Sequence, residues 1–267
     1  MRQDSVAVPT VEVTTVDVWL LDPLGLEPAG LHHLLDAAER DRAAALPSPA
    51  AARFVLARAL LRGVLGTRLG RPAADVRLRA RCPRCGGPHG RVVVGSDGPP
   101  LHVSLSRSGP LIAVVLCRSG PVGVDVESRD AVARARLADV VLSPTELVAH
   151  HRLAPADRAA ALARAWVRKE AVLKALGTGL RLAPGAVEVH GDQVTTDPAS
   201  VGADLALTGG DLSLADLPLD GDAVGAVAVL LPTGGLDRPG RTDRGHAPAA
   251  RVVLHDGAPV VRAAAAG

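Results

Sequence analysis

Acidic residues in two short segments have the types and spacing that could bind a divalent cation. The first segment is Gly123-Val124-Asp125-Val126-Glu127. Alternate residues of a strand share a face, so Asp125 and Glu127 would point the same way. Such carboxylates repel each other unless they are solvated or a cation lies between them, and hard divalent cations prefer carboxylate oxygens. The spacing alone fits a metal site and a solvated edge strand equally well.

The second segment, residues 166–174 (WVRKEAVLK), has the pattern of a helix. Trp166, Glu170 and Lys174 recur at four-residue steps and so share one side. Glu170 borders an apolar stripe, where burial raises its proton affinity unless a cation compensates. The alternative is a surface Glu–Lys pair, which contributes only a few tenths of a kcal/mol.

The basic residues are distributed unusually. Of the 30 basic residues, 28 are arginine, and the two lysines, Lys169 and Lys174, stand five positions apart. Arginine readily replaces lysine on solvated surfaces, so two clustered lysines indicate a need for a compact ammonium on a flexible stem. Chance clustering is the alternative interpretation.

A third group of residues has the types that bind zinc. Cys82, Cys85 and His89 lie in the stretch CPRCGGPH, which resembles half of a zinc knuckle. A closed site needs four ligands, and Cys117 is the only further thiol. An incidental Gly-Pro-rich loop is the preferred interpretation over bound zinc.

The elements that must position these residues alternate between strands and helices. We predict strands at about 11–21, 75–80, 91–95, 101–106, 111–117, 121–127, 186–190, 193–196 and 223–231. Helices are predicted at about 30–45, 49–69 and 155–176, and Ser143 to Glu146 has the spacing of a capping box. The tail from Pro232 is expected to be loosely held, with a hairpin around Asp256-Gly257 as the alternative.

Three segments together carry a family resemblance. HVSLSRSG (102–109), GVDVE (123–127) and WVRKEAVLKALGTGL (166–180), in this order and spacing, resemble the 4′-phosphopantetheinyl transferases of the broad-specificity, surfactin-synthetase-activating type. The resemblance covers about residues 39–231. The pair GVDVE and WxxKExxxK at this separation is highly specific, whereas either motif alone is not.

The resemblance implies an activity and a metal site. Such enzymes move the phosphopantetheine arm of coenzyme A onto a carrier-protein serine and release 3′,5′-ADP. The implied ligands of Mg²⁺, for which Mn²⁺ can substitute, are Asp125, Glu127 and Glu170. The ion would neutralise charge on the diphosphate. Glu170 is also the implied general base, and Lys174 is implied to reach the phosphates with Lys169 nearby.

The resemblance also implies residues that contact coenzyme A. Ser106 and Arg107 match a Ser-His pair beside the phosphates, with arginine in place of histidine, so that this cation does not titrate near neutrality. Arg42 and Arg53 match basic positions that hold the 3′-phosphate, in an alignment with a one-residue gap. Gly90-Arg91 matches Gly-Lys-Pro at the adenine, and Val92 replaces the proline.

The implied fold class is α/β (α+β), with two similar lobes related by a pseudo-two-fold axis and coenzyme A in the cleft between them. This divides the chain into an N-terminal lobe (1–119), a C-terminal lobe with the metal and catalytic motifs (120–231) and a tail (232–267). The chain is about twice as long as the trimeric, single-lobe relatives, so we expect a monomer. The expected protein partner is an apo acyl, peptidyl or polyketide carrier, which is usually acidic and would suit the arginines.

Composition excludes several other classes. The near balance of 30 basic and 28 acidic residues, with no tyrosine and one phenylalanine, argues against nucleic-acid binding. No apolar run is long enough for a membrane span, no signal peptide is evident, and the odd cysteine count favours the cytoplasm. The alternatives kept are a zinc-knuckle binding module and another Mg²⁺-dependent phosphate enzyme.

Overall fold

The computed structural model describes residues 14–80, 86–87, 90–95, 99–196, 212–231 and 250–266. The fold is mixed α/β with several sheets, as predicted. A four-stranded sheet, called here the first sheet, has the strand order β11-β1-β5-β4, and a three-stranded second sheet has the order β6-β10-β9. The pseudo-two-fold relation between two lobes, with the division near residue 120, stays a prediction.

The strands are β1 (Thr15–Leu21), β2 (Leu78–Ala80), β3 (Val92–Val94), β4 (His102–Ser108), β5 (Leu111–Cys117), β6 (Val122–Ser128), β7 (Val187–His190), β8 (Gln193–Thr196), β9 (Leu212–Asp216), β10 (Ala223–Leu230) and β11 (Arg251–Asp256). The α-helices are α1 (Ala37–Ala44), α2 (Ser48–Leu69), α3 (Arg129–Ala135), α4 (Ala138–Val141), α5 (Pro144–Arg152), α6 (Pro155–Leu176) and α7 (Ala258–Ala266). β2 pairs with β3 and β7 with β8 as two small hairpins.

The elements form layers. Helix α2 packs its apolar face on one side of the first sheet, against Ile112, Val114 and Leu116 of β5. The other side of the first sheet packs against the second sheet through a cluster rich in valine, which includes Val122, Val124 and Val126. Helix α6 covers the opposite side of the second sheet. The sequence has almost no aromatic side chains, so these interfaces are built from valine, leucine and alanine.

The tail differs from its expectation over residues 250–266. β11 pairs in parallel with β1, from Thr15 opposite Arg251 to Leu20 opposite Asp256. The chain then turns at Gly257 into α7, which packs on α2. No hairpin forms at Asp256-Gly257, because β1 offers β11 a free edge and Gly63 of α2 leaves room for Val260. These residues therefore complete the first sheet.

A smaller difference concerns the first third of the chain. The predicted helix at 30–45 is a 3₁₀ segment, Pro28–Leu34, followed by α1, because Asp36 caps a new helix through a capping box with Glu39. The predicted capping box at Ser143 and Glu146 is confirmed at the start of α5.

Candidate active site

Strand β6 carries the first acidic residue into a buried position. Asp125 is only 4% exposed. Its Oδ1 accepts hydrogen bonds from Ser106 Oγ and from Lys174 Nζ, both at 2.7 Å. Its Oδ2 is also buried, and the described residues give it no hydrogen-bond donor. Asp125 therefore has one oxygen held by the protein and one without a partner.

Glu127 follows two residues later and is less deeply buried. Ser108 Oγ donates a hydrogen bond to its Oε2. Burial raises the pKa of Glu127, and the charge of Asp125 raises it further, while the Ser108 hydrogen bond and Lys174 act in the opposite direction. These surroundings therefore disfavour the ionised form of Glu127 relative to the same carboxyl group in water.

Helix α6 brings the third acidic residue to the same place. Glu170 Oε1 is buried and has no donor among the described residues. Burial raises the pKa of Glu170, and the charges of Asp125 and Glu127 also raise it, against the effect of Lys174. The mutual effects on pKa show that the strand and the helix bring the three predicted carboxylates into electrostatic contact.

Gly123 sets the distance between this helix and this strand. A Cβ at Gly123 would lie 1.9 Å from the carbonyl oxygen of Ala171 and 2.6 Å from the amide nitrogen of Ala175, both in the α6 backbone. No side chain fits there, so α6 lies directly on β6. Gly123 shares a strand face with Asp125 and Glu127, which explains why both carboxylates face α6.

The donor chemistry of this cluster fits a divalent cation. Within the described part of the chain, three carboxylates face one ammonium, that of Lys174, and two carboxylate oxygens are buried without a donor. As they are arranged, however, no three acidic, histidine or cysteine side chains in the described ranges stand close enough to hold one ion. Asp125 Oδ1 is instead paired with Lys174. The net negative charge of the cluster favours a cation, but the three carboxylates are not arranged as a complete set of ligands around one point.

The two lysines of α6 serve different regions. Lys174 lies at the cluster, where its Nζ donates to Asp125 and, at 2.9 Å, to the carbonyl of Val124. Lys169 is 0% exposed, and its Nζ donates to the carbonyl of Val141 at 2.7 Å and to Glu146. Lys169 therefore lies away from the carboxylate cluster in this structure, and its expected place beside the phosphates stays a prediction. Five residues along a helix rotate the side chain by well over a right angle, so Lys169 points toward α4 and α5.

A second charged cluster, the arginine cluster, consists of Arg42, Arg58 and Arg107 around the ring of Phe54. Their guanidinium carbons lie 5.4, 5.2 and 5.5 Å from the ring centroid. Burial lowers the pKa of Arg107, and the charges of Arg58, Arg42 and Arg53 lower it further. This places the predicted residues Arg42, Arg53 and Arg107 within electrostatic reach of one another.

A cavity of about 170 Å³ opens beside the arginine cluster. Its lining includes Gly90, as well as Arg42, Arg58 and Arg107. Arg91 is not among the lining residues of this cavity. Its Nη1 lies 3.6 Å from the point where a Cβ added to Gly177, at the end of α6, would stand, and burial lowers the pKa of Arg91. A larger cavity of about 550 Å³, around Arg62 and β2, contains none of the predicted site residues.

Strand β4 connects the two clusters. Arg107 belongs to the arginine cluster, whereas its neighbours Ser106 and Ser108 donate to Asp125 and Glu127. Alternation along a strand places these side chains on opposite faces. The predicted site residues of the two sheets are thus joined through one strand.

Sequence reasoning missed four residues of these clusters. Ser108, Arg58, Phe54 and Gly123 were not assigned to the site. The signals were present for two of them: Phe54 is the only phenylalanine of the chain, and Ser104, Ser106 and Ser108 alternate along one strand. The proposed zinc ligands Cys82, Cys85 and His89 lie outside the described residues, and Cys117 is buried on β5.

Comparison with known families agrees with this geometry. Residues 121–209 match the model of the 4′-phosphopantetheinyl transferase superfamily. The matched range is about a third of the chain and includes the three carboxylates and both lysines. No curated protein gives a significant match to the chain. None of the helices in the described ranges combines the length and the hydrophobicity needed to cross a bilayer.

Proposed function

We propose that this protein transfers the 4′-phosphopantetheine arm of coenzyme A to a serine hydroxyl of an apo carrier protein and releases 3′,5′-ADP. The observation that carries the proposal is the meeting of Asp125, Glu127, Glu170 and Lys174 where α6 lies on β6. These residues lie inside the range that matches the superfamily of such transferases. The predicted broad-specificity type is part of the same proposal.

The carboxylate cluster is proposed to hold Mg²⁺ or Mn²⁺ through Asp125, Glu127 and Glu170. Two buried oxygens to which no described residue donates, and the excess of negative charge, support this assignment. When bound, the ion would supply positive charge to the diphosphate of coenzyme A. Because Lys174 now pairs with Asp125, it can exchange that partner for a phosphate oxygen at little cost in charge balance.

Glu170 is proposed as the general base. Its buried Oε1 has no hydrogen-bond donor among the described residues, which leaves that oxygen available to accept a proton. In the proposed step the serine oxygen forms a bond to the phosphorus that bears the pantetheine. The bond from that phosphorus to the bridging oxygen breaks, the electron pair leaves on 3′,5′-ADP, and the serine proton passes to Glu170. No oxidant or reductant is required.

The arginine cluster is proposed to bind the 3′-phosphate of coenzyme A. A phosphomonoester carries about −1.5 to −2 charges, and guanidinium groups bind its oxygens through strong charged hydrogen bonds. Arg42, Arg53 and Arg107 are the proposed contacts, with Gly90 and Arg91 toward the adenine and Ser106 beside the phosphates. One chain carries both clusters, which supports a monomer as the active form.

The test is intact-mass analysis of apo carrier proteins after incubation with the protein, coenzyme A and Mg²⁺. We expect an increase of about 340 Da, the mass of the transferred arm as a covalent modification. The variants Asp125→Asn and Glu170→Gln should abolish the increase, and Lys174→Arg should slow it. Asp139→Asn, an exposed acid on α4, is the matched control and should not change it.

Acyl, peptidyl and polyketide carriers are tested side by side. The absence of a mass increase with all three classes would overturn the proposed function. An increase with the unaltered protein that persists unchanged in Asp125→Asn and Glu170→Gln would leave the activity standing but refute the roles of these residues.

A further inference from the structure

Three serines of β4 face β6 in a regular ladder. Ser104 Oγ accepts a hydrogen bond from the amide of Val124 at 3.3 Å. Ser106 Oγ donates to Asp125 Oδ1 at 2.7 Å, and Ser108 Oγ donates to Glu127 Oε2. Residues at alternate positions of a strand share a face, so the three hydroxyls point toward the same neighbour. Two of the three bonds end on carboxylates of the proposed metal site.

The ladder stands where the two sheets meet. β4 is the end strand of the first sheet and β6 is the end strand of the second, and the two strands lie against each other. Neither of these fully described strands pairs with the other in a backbone ladder. The serine side chains supply hydrogen bonds across this junction instead.

The serines are held in fixed positions by the rest of their strand. Ser106 lies opposite Ala113 and Ser108 opposite Leu111 in the antiparallel pairing with β5. On the other face of β4, Val103 belongs to the core under α2, and Leu105 packs against it. Because the strand is anchored on both sides, the backbone positions of Ser106 and Ser108 are set independently of the carboxylates to which their hydroxyls donate.

A fixed donor on one oxygen determines the direction of the other oxygen of the same carboxylate. A serine hydroxyl has one proton, and Ser106 and Ser108 each give theirs to a single carboxylate oxygen. For Asp125 the second oxygen is the buried Oδ2, which has no donor in the described part of the chain. Partners of this kind, one step behind the ligands, orient them and affect metal affinity strongly.

We propose that Ser108, together with Ser106, is a positioning residue that orients Glu127 and Asp125 toward the cation. This inference rests on the proposed function, since it concerns the cation site of that function. It assigns to the first sheet a part in forming a site whose ligands all belong to the second sheet and α6. For Ser106 this role adds to its proposed place beside the substrate phosphates. For Ser108, direct contact with the phosphates is the competing role, and the two roles of Ser108 predict different losses.

Direct binding of Mn²⁺ to the purified protein, measured by electron paramagnetic resonance without coenzyme A or carrier, tests this role. We expect Ser108→Ala to weaken Mn²⁺ binding by about 10-fold, within the range found for partners of metal ligands. Affinity for coenzyme A, measured without metal, should stay within about two-fold, because Ser108 contacts the carboxylate and not the substrate. Ser108→Thr keeps the hydroxyl and should restore the affinity for Mn²⁺.

Ser104→Ala is the matched control, because Ser104 shares the strand face but accepts from a backbone amide and hydrogen-bonds to none of the described carboxylates. It should lower the melting temperature without a comparable change in Mn²⁺ affinity. If Ser108→Ala also melts earlier, the comparison moves to Ser108→Cys, which keeps the side-chain size and replaces the hydroxyl with a weak donor.

Unchanged Mn²⁺ binding in Ser108→Ala would overturn the proposal, even when the unaltered protein transfers the arm normally. A loss of coenzyme A affinity with Mn²⁺ affinity retained would overturn it in favour of direct contact with the substrate. If the unaltered protein neither binds Mn²⁺ nor modifies any carrier, this inference and the proposed function fail together.

Discussion

The arginine cluster and the carboxylate cluster lie on opposite faces of β4. Each brings together side chains of the same charge, and the protein stabilises the two clusters by different means. In the arginine cluster, the ring of Phe54 lies within 5.5 Å of three guanidinium groups, and Glu39 forms an ion pair with Arg58 at 3.1 Å. In the carboxylate cluster, one ammonium faces three acids, and two of those acids have raised pKa values.

The difference follows from the chemistry of the two groups. A carboxylate in an unfavourable environment can take up a proton, so repulsion in its cluster appears as a raised pKa. A guanidinium stays charged at any ordinary pH, so its cluster needs permanent compensation from a carboxylate or an aromatic face. The carboxylate cluster is therefore suited to accepting protons and cations, and the arginine cluster to holding an anion of constant charge.

The variant Glu170→Gln tests the carboxylate side and should have the largest effect. Removing this charge should slow transfer by on the order of 10³-fold, since charge stabilisation at a metal site contributes several kcal/mol. The metal-free protein should become more stable at the same time. Folded Glu170 binds its proton more tightly than unfolded Glu170, so the free energy of unfolding falls as pH rises from its ordinary pKa of 4.5 through the raised value.

Thermal unfolding at mildly acidic and mildly alkaline pH, without divalent cations, measures this effect. The unaltered protein should lose more stability between the two conditions than Glu170→Gln does. Added Mg²⁺ should raise the melting temperature of the unaltered protein more than that of the variant. If the melting temperatures of both proteins depend on pH in the same way, the pKa of Glu170 is not raised by folding, and the contrast drawn between the two clusters is wrong.

The variant Gly123→Ala tests whether the carboxylate cluster depends on the distance between α6 and β6. The added methyl would meet helix backbone at 1.9 Å, so α6 must move away from β6. We expect transfer to slow by about 100-fold, as for a misplacement of about 1 Å, and stability to fall by about 1–3 kcal/mol. The affinity for coenzyme A, which the arginine cluster is proposed to bind, should change little. Mass analysis of the carrier measures the transfer rate, and a binding measurement with coenzyme A measures the affinity.

Gly225→Ala is the matched control in the neighbouring strand. The three atoms nearest to its Cβ would be side-chain methyl groups, of Leu217, Leu219 and Val126, each at 3.0 Å. These groups can shift, so transfer should stay within a few-fold of the unaltered rate. Equal losses in both variants would mean that the close contact between α6 and β6 has no special role.

Much of the carboxylate cluster could be predicted from sequence, because its signals are local. Pro155 and Gly177 mark the ends of α6, which spans the predicted 155–176, and strict alternation fixes the face of β6 that carries Asp125 and Glu127. The contacts of Lys169 could not be predicted in this way, because proximity to Lys174 along the chain does not mean proximity in space. The helical turn between Lys169 and Lys174 separates them, and only tertiary contacts show that Lys169 meets Glu146.

The arginine cluster and the strand pairing of the first sheet were harder to predict from the sequence, because both depend on contacts between distant residues. Arg58 and Phe54 join Arg107 through packing of α2 on β4, which involves residues about 50 positions apart. The pairing of β1 with β11 joins residues separated by more than 230 positions, and short-range patterns carry no information about it. The serine ladder likewise depends on where two separate sheets meet.

The variant Arg107→Ala tests the arginine side and should have an intermediate effect. Loss of one charged hydrogen bond, about 1.5–3 kcal/mol, should raise the KM for coenzyme A by about 10–100-fold. The KM for dephospho-coenzyme A, which lacks the 3′-phosphate, should hardly change. Arg118→Ala, at an exposed position after β5, is the matched control. Equal losses for both substrates would place the 3′-phosphate elsewhere.

The variant Phe54→Leu should have the smallest effect, and it isolates what the aromatic ring does for the arginines. Phe54 is only 2% exposed, and leucine keeps most of its apolar volume, so the packing loss should stay below about 1.5 kcal/mol. Leucine has no negative ring face, so the three guanidinium groups lose about 0.5–1 kcal/mol of attraction each, and their mutual repulsion is less well offset. Part of this loss disappears when a bound phosphate holds the arginines together, so the KM for coenzyme A should rise only about five-fold.

The turnover number of Phe54→Leu should not change, because the ring is on the far face of β4 from the carboxylates. A fall in turnover with an unaltered KM would show that the two clusters are coupled through β4, contrary to the separation of roles drawn here.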